Sequence, residues 1–222
     1  MYQLQELERS QDLIFSHASL GTLNPKETFA IIDVGANTGD VSLNLAELFP
    51  KAQIFAVEAD PKTYLTLLKK TETVGTIRPI QLGIHSQSGW LDLHSHPDSV
   101  FSSLLDLPDS QTATRRVKIQ TETMDQFIAA NSIHNVALLK IDTEGNDLEV
   151  LKGADTLLAS PDLNYVICEF GIHPEDKRHV NINDLLRFMA PKGFYISSLG
   201  NFGCYADYIF GNVLFARAGT RK

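Results

Sequence analysis

Apolar residues in this chain gather into short dense runs, separated by longer stretches where they recur at helical spacing. The run at 29–34 reads as a strand buried on both faces, with further strands at 53–57, 78–82, 136–141 and 164–170. Between them, 38–49 predicts a helix that stops at Pro50, Pro61 opens a helix to about Thr71, and 146–159 predicts a longer one. In that longer helix Leu148, Val150, Leu151, Leu157 and Leu158 turn inward. Shorter helices are expected at 123–130 and 183–190. Strand and helix alternate, which predicts a mostly parallel sheet covered by helices. The alternation lapses at 84–121, where 89–94 and 116–121 look like antiparallel strands bracketing a polar loop, an inserted β-ribbon. Strands at 194–199 and 212–216 form a closing hairpin. At the start, Leu4, Leu7, Ile14 and Leu20 lie at helical spacing before Gly21 and Pro25 break the pattern, so 1–24 reads as a helical cap.

With 222 residues, 43% of them hydrophobic, the chain can bury one substantial core, and no repeat or linker divides it; one domain over 1–222 is expected. A net charge of −8 leaves no basic stripe for a phosphate backbone, because Lys69-Lys70 and Arg115-Arg116 are isolated pairs. Nucleic acid is therefore not the expected partner. No apolar run reaches the 18 residues that suggest a membrane span, and the N-terminal residues lack the basic start and apolar stretch of a signal peptide. A cytoplasmic protein without a membrane partner is expected. Cys168 and Cys204 fit neither a disulfide framework nor a zinc spacing and read as reduced thiols. Monomer and homo-oligomer are equally open.

Candidate chemistry concentrates between residues 31 and 61. The strand Ile31-Ile32-Asp33-Val34 ends in Gly35-Ala36-Asn37-Thr38-Gly39, opens a helix, and returns as a strand ending in Glu58-Ala59-Asp60-Pro61. Gly35 lets the backbone turn sharply, and Gly39 lets the next helix sit close. Glu58, about 20 residues beyond the loop, stands at the neighbouring strand tip, where a carboxylate accepts bonds from both hydroxyls of a ribose. Asp33 and Asn37 add polar groups on the same sheet edge. A dinucleotide pyrophosphate is served by three glycines in G-x-G-x-x-G; here position 37 is Asn and the third glycine is absent. The loop suits a zwitterionic methionine tail, which favours S-adenosylmethionine. The alternatives are an NAD(P)-dependent oxidoreductase, disfavoured also by the lack of a Tyr-x-x-x-Lys pair, and a non-catalytic nucleoside-binding sensor.

A second strand–turn–helix block runs through Lys140-Ile141-Asp142-Thr143-Glu144-Gly145-Asn146-Asp147 to Gly153. Together with the Asp33–Gly39 loop, Val57-Glu58-Ala59-Asp60-Pro61, Phe101-Ser102-Ser103-Leu104 and Val166-Ile167-Cys168-Glu169-Phe170, it resembles the FkbM family of methyltransferases over about residues 31–170. The resemblance implies an α/β fold of the Rossmann-like class I methyltransferase kind. Such a fold has a central, mostly parallel sheet with helices on both faces, an antiparallel last strand and, here, a β-ribbon insertion. It also implies O-methyl transfer from S-adenosylmethionine to a hydroxyl on a small molecule such as a sugar, polyketide or other secondary metabolite. It carries over Asp33, Gly35, Asn37, Gly39 and Glu58 as cofactor contacts, completes that set with Ala36, Ala59, Ser102 and Asp142, and places Asp142 and Glu144 at the active site. Ala59 stands where the family often has proline and Thr143 where valine is usual; neither removes a functional group.

In-line transfer from a sulfonium requires alignment of the acceptor oxygen and removal of its proton. Asp142, Glu144, Glu169, His85 and His173 all lie at or just after expected strand ends, and the catalytic candidates are Asp142, Glu144 and His173, the last for its place beside Glu169. Asp142, Glu144, Glu169 and His173 have a second use, holding a divalent cation, but no metal is expected. Asp142 and Glu144 have a purely structural use as caps of the following helix. Phe202, Tyr205, Tyr208 and Phe210 are candidate walls of an acceptor pocket.

Overall fold

The structure is a computed structural model in which residues 16, 19–96, 102–104, 115–205 and 208–220 are described; the helical cap expected over 1–24 falls mostly outside them. In chain order the strands are β1 (Ala30–Val34), β2 (Gln53–Glu58), β3 (Ile77–Gln81), β4 (Gly83–Ile84), β5 (Gly89–Ser95), β6 (Arg115–Glu122), β7 (Val136–Ile141), β8 (Tyr165–Gly171), β9 (Phe194–Tyr205) and β10 (Tyr208–Arg217). The α-helices are α1 (Asp40–Leu48), α2 (Pro61–Thr71), α3 (Met124–Ala130), α4 (Asp147–Lys152), α5 (Asp155–Ala159) and α6 (Ile182–Met189). Seven strands form one sheet in the order β3-β2-β1-β7-β8-β10-β9, parallel through β8, with β10 antiparallel to both neighbours. Order reverses between β1 and β7, the topological switch at which such sheets bind ligands.

Alternation along the strands divides the core. Ala30, Ile32 and Val34 of β1 share one face with Met124, Phe127, Val150, Leu151, Leu158 and Leu185 from α3 to α6. Ile31 points the other way, to Leu45 and Phe49 beside α1, Leu67 of α2, and Leu20 and Leu23. All five β1 positions are buried, as the unbroken apolar run requires. The start of α2 is set by Pro61 at its first position and by Asp60, whose carboxylate accepts from the backbone N–H of Lys62 at 2.7 Å and Thr63 at 3.2 Å.

The expected long helix over 146–159 is two helices, α4 and α5, separated at Gly153 and Ala154. The His85 carbonyl oxygen approaches so closely that a Cβ at Gly153 would collide with it. Asp125 secures the break: its N–H donates to the Gly153 carbonyl at 3.1 Å, and its carboxylate accepts from Thr156 and Leu157 at 2.8 and 3.0 Å. The insertion is a three-stranded sheet, in which β6 pairs antiparallel with β5 and parallel with the short β4. The closing hairpin is longer than its apolar pattern, extending β9 to Tyr205 and starting β10 at Tyr208. Among the described residues no helix is long and apolar enough to cross a membrane.

Candidate active site

The carboxyl ends of β1, β2 and β7 open into a cleft with about 750 Å³ of space, its open mouth included. Gly35, Asn37, Glu58 and Ala59 form one side, and Asp142, Thr143, Glu144 and Asn146 form another. Leu82, Gly83, Ile84, Leu93, Ser102, Ser103 and Leu104 close it from β3 and the inserted sheet. Ser102 is among the expected cofactor contacts; Leu82, Gly83, Ile84, Leu93 and Leu104 are not, because only the packing of β3 and the insertion over the sheet edge brings them there.

Gly35 has φ +70°, and a Cβ on it would run into the Asp142 carbonyl, so the close approach of the β1 and β7 ends admits only glycine. Its N–H and that of Ala36 donate to the Val57 carbonyl at 2.9 and 3.0 Å, drawing the loop across β2. Asn37 follows in the left-handed region at φ 49° and donates its backbone N–H to Glu58 Oε2 at 2.9 Å, while the Asp60 N–H donates to Oε1 at 2.8 Å. Both carboxylate oxygens are thereby fixed at the cleft wall. Burial raises the Glu58 pKa above its ordinary value, and the N–H groups of Asp60 and Asn37 oppose that rise.

Three expected cofactor contacts lie behind the wall instead of on it. Asp33 is fully buried, its Oδ1 2.9 Å from Lys140 Nζ and its Oδ2 accepting from Ser42 Oγ at 2.6 Å. Ala36 packs into the α1 side of the core, and Gly39, at φ 93°, faces Leu67 and Thr71 of α2. All three support the loop from beneath. Lys140, which the sequence reading passed over, is the hub of that support: Nζ also donates to the Gly35 carbonyl at 3.0 Å and lies 3.6 Å from Asp142 Oδ2. Burial depresses an ammonium, yet the Asp33 and Asp142 charges outweigh it and hold the Lys140 pKa above the usual lysine value. A lone lysine in an otherwise apolar strand was the available signal.

The turn after β7 places Glu144 at φ 52° and Gly145 at φ 100°. Asp147 anchors it: wholly buried, it accepts from the N–H and hydroxyl of Thr143 at 2.9 and 2.6 Å and from the Glu169 N–H at 2.8 Å. Asp142 and Glu144 are not turned to α4 as caps, since Asp142 faces Lys140, and Glu144 Oε2 accepts from Arg178 Nη1 at 3.1 Å. Ser103 Oγ donates to the Glu144 carbonyl at 2.6 Å, and Ser102 Oγ accepts from the His96 N–H at 3.0 Å. Burial first, then the Asp142 charge, raises the Glu144 pKa to about 7 against the pull of Arg178. The same two causes raise Asp147 to about 6.

His173, expected beside Glu169, is exposed and stacks on Tyr208 with ring centres 4.7 Å apart, away from the cleft wall. His85 lies outside the wall too, with Nδ1 3.3 Å from Ser86 Oγ. The histidine that meets Glu169 is His179, its Nε2 3.8 Å from Glu169 Oε2 and its Nδ1 2.7 Å from Asp176 Oδ2. The chain turns back after β8, where the Gly171 N–H donates to the Val180 carbonyl at 2.9 Å, and so the residue six positions further on takes the place expected for His173. Phe202 packs edge-on against Phe170, and Phe210 stacks on His179 at 4.5 Å, so they buttress the site from behind and do not line the cleft. The Tyr205 side chain lies outside the described residues.

The fold is shared with solved methyltransferases. Magnesium protoporphyrin IX methyltransferase (ChlM) from Synechocystis PCC 6803 with bound SAM superposes with a TM-score of 0.54 at 13% identity, covering 98% of this chain and 82% of that one. M. capricolum TrmK in complex with S-adenosyl-homocysteine gives 0.52 at 13% identity, covering 90% and 67%. By sequence, the hexuronic acid methyltransferase AglP of Haloferax volcanii is 28% identical over 179 residues, 79% of this chain and 69% of that protein. The 2-O-methyltransferase NoeI of Sinorhizobium fredii is 21% identical, with 64% of each chain covered. The chain therefore spans about two thirds of the length of such relatives. The model of the methyltransferase FkbM domain matches residues 33–196, most of the chain, and includes both the glycine loop and the acidic turn. The chain belongs to the FkbM methyltransferase family.

Proposed function

We propose that this chain is an S-adenosylmethionine-dependent O-methyltransferase whose acceptor is a hydroxyl on a small molecule. The observation that carries this reading is the pairing, on one cleft, of a glutamate fixed by two backbone N–H groups with a second glutamate whose pKa is about 7. The wall fits the cofactor: Glu58 retains lone pairs for the two ribose hydroxyls, beside the Gly35–Asn37 turn that lines the same cleft. S-adenosylmethionine supplies, when bound, a methyl group made electrophilic by its sulfonium. Glu144 would take up the acceptor's hydroxyl proton, which, because the cofactor's leaving group would be neutral, would be the one charge left to the protein to handle. Asp142 borders the same space from its place beside Lys140; Asp33, Ala36 and Gly39 position the loop.

The names of AglP and NoeI support an acceptor of sugar type. Isothermal calorimetry with S-adenosylhomocysteine tests the reading: micromolar binding is expected, with none for NAD. Glu58→Ala is expected to weaken it roughly 10- to 100-fold, the loss of charge-assisted hydrogen bonds. Binding of NAD in place of the nucleoside product would point to the oxidoreductase alternative. Cofactor binding without transfer to any of a broad panel of hydroxyl acceptors would point to a sensor.

A further inference from the structure

Behind the cleft, His179 Nε2 faces Glu169 Oε2 at 3.8 Å. Asp176 is immobilised by the backbone N–H groups of Arg178 at 2.9 Å and His179 at 3.2 Å, and its Oδ2 lies 2.7 Å from His179 Nδ1. Gly171 makes room for that carboxylate, since a Cβ there would press on Asp176 Oδ2. A carboxylate at Nδ1 takes the imidazole proton on that side and leaves the lone pair on Nε2. That lone pair looks toward Glu169 Oε2, 3.8 Å away, and this buried oxygen has no hydrogen-bond partner among the described residues. Glu169 is only 8% exposed, so water does not freely supply the missing partner. One carboxylate oxygen of Glu144 completes the group, all three ligand atoms lying within 4.8 Å of one another.

We propose that Glu144, Glu169 and His179 hold a divalent cation of the Mn²⁺ type at the inner end of the cleft. Two carboxylate oxygens and one imidazole nitrogen form a mixed donor set suited to such an ion, and Asp176 is the outer carboxylate that orients the ligating histidine. Ligand atoms around an ion at about 2.1 Å sit roughly 3 to 4 Å apart, so ligand atoms as much as 4.8 Å apart need to draw together by about one to two ångströms. Phe210, stacked flat on the His179 ring with a 7° interplanar angle, keeps the imidazole in the required plane. Glu144 is the ligand shared with the cleft, leaving open coordination positions on that side for water or an acceptor oxygen. The ion's use in aligning an acceptor rests on the methyl-transfer reading; its binding does not.

Titration of the full chain with MnCl₂ alone, followed by the loss of the free-ion electron paramagnetic resonance signal, tests the site without cofactor or acceptor. One Mn²⁺ per chain is expected, with nitrogen coupling to the bound ion in pulsed spectra. Glu169→Gln and His179→Ala are each expected to lower affinity at least tenfold, and Asp176→Asn to do so about tenfold through the histidine. His173→Ala, on the exposed ring, leaves affinity unchanged. The nitrogen coupling in the unaltered protein decides the matter even if a variant folds poorly. No saturable uptake up to millimolar Mn²⁺ would overturn the proposal, because a proton shared by Glu169 and His179 would then satisfy the pair; so would bound Mn²⁺ without nitrogen coupling, or full affinity in both ligand variants. S-adenosylhomocysteine binding measured on Glu169→Gln separates this outcome from failure of the methyltransferase reading, since it is expected to persist.

Discussion

Lys140 bears the largest structural consequence of any single side chain at the site. Its ammonium is fully enclosed and joins Asp33, Asp142 and the Gly35 carbonyl, so the loop that lines the cleft depends on it. Lys140→Met leaves the Asp33 carboxylate buried without its cation, an arrangement that costs about 3–5 kcal/mol. Urea unfolding is expected to show that loss, with part of it recovered in Asp33→Asn/Lys140→Met because the stranded charge is then gone. Glu144 answers to a different measurement. On the proposed function, and in protein stripped of divalent cations, the Glu144 pKa raised to about 7 is expected to make the methyl-transfer rate rise with pH through about 7 and level off above. Glu144→Gln is expected to lower kcat by about 10²- to 10⁴-fold and to abolish that inflection; an unchanged pH profile in the variant would move the base elsewhere. Glu58 and Glu144 were both legible in the sequence, because Glu58 ends β2 and Glu144 lies in the short turn after β7, where a strand's end limits where the next side chains lie.

At the scale of elements, boundaries set by local chemistry were readable and those set by a neighbour were not. Pro61 and Asp60 specify the start of α2 within three residues of chain, and that helix runs where expected. The stretch from Asn146 to Ala159 keeps helical spacing throughout, and one glycine inside such a pattern is ordinarily tolerated. The His85 carbonyl, more than 60 residues away in the chain, leaves no room for a side chain at the break, and Asp125 accepts from the first N–H groups of α5. Asp125→Ala removes the acceptor of two helix N–H groups and is expected to destabilise the protein by about 0.5–2 kcal/mol, seen as a lower thermal midpoint with the active-site pH profile intact.

Over the whole molecule, burial of carboxylates at one sheet edge makes stability depend on pH. Asp147 moves from 3.8 in the unfolded chain to about 6, Glu144 from 4.5 to about 7, and Glu58 and Glu169 shift the same way. The folded chain therefore binds more protons than the unfolded one between about pH 4 and 7, and the stability these groups contribute is lost as pH rises through that window. His179 acts oppositely: burial lowers its pKa, so its contribution is lost as pH falls below the ordinary histidine value. Four carboxyls outweigh one imidazole, and the urea midpoint is expected to fall between pH 5 and 7.5 at constant ionic strength, less steeply in Asp147→Asn. The amino-acid sequence by itself determined the strands, the sharp turn at Gly35 and the carboxylates at the β2 and β7 tips, because two-sided burial demands unbroken apolar runs and a turn needs its glycine within a few residues. Tertiary structure alone decided which charges meet. Asp33 finds Lys140 across the β1–β7 register, and Glu169 finds His179 because the chain doubles back after β8; contacts of that kind follow from strand order and loop path, which no local pattern encodes.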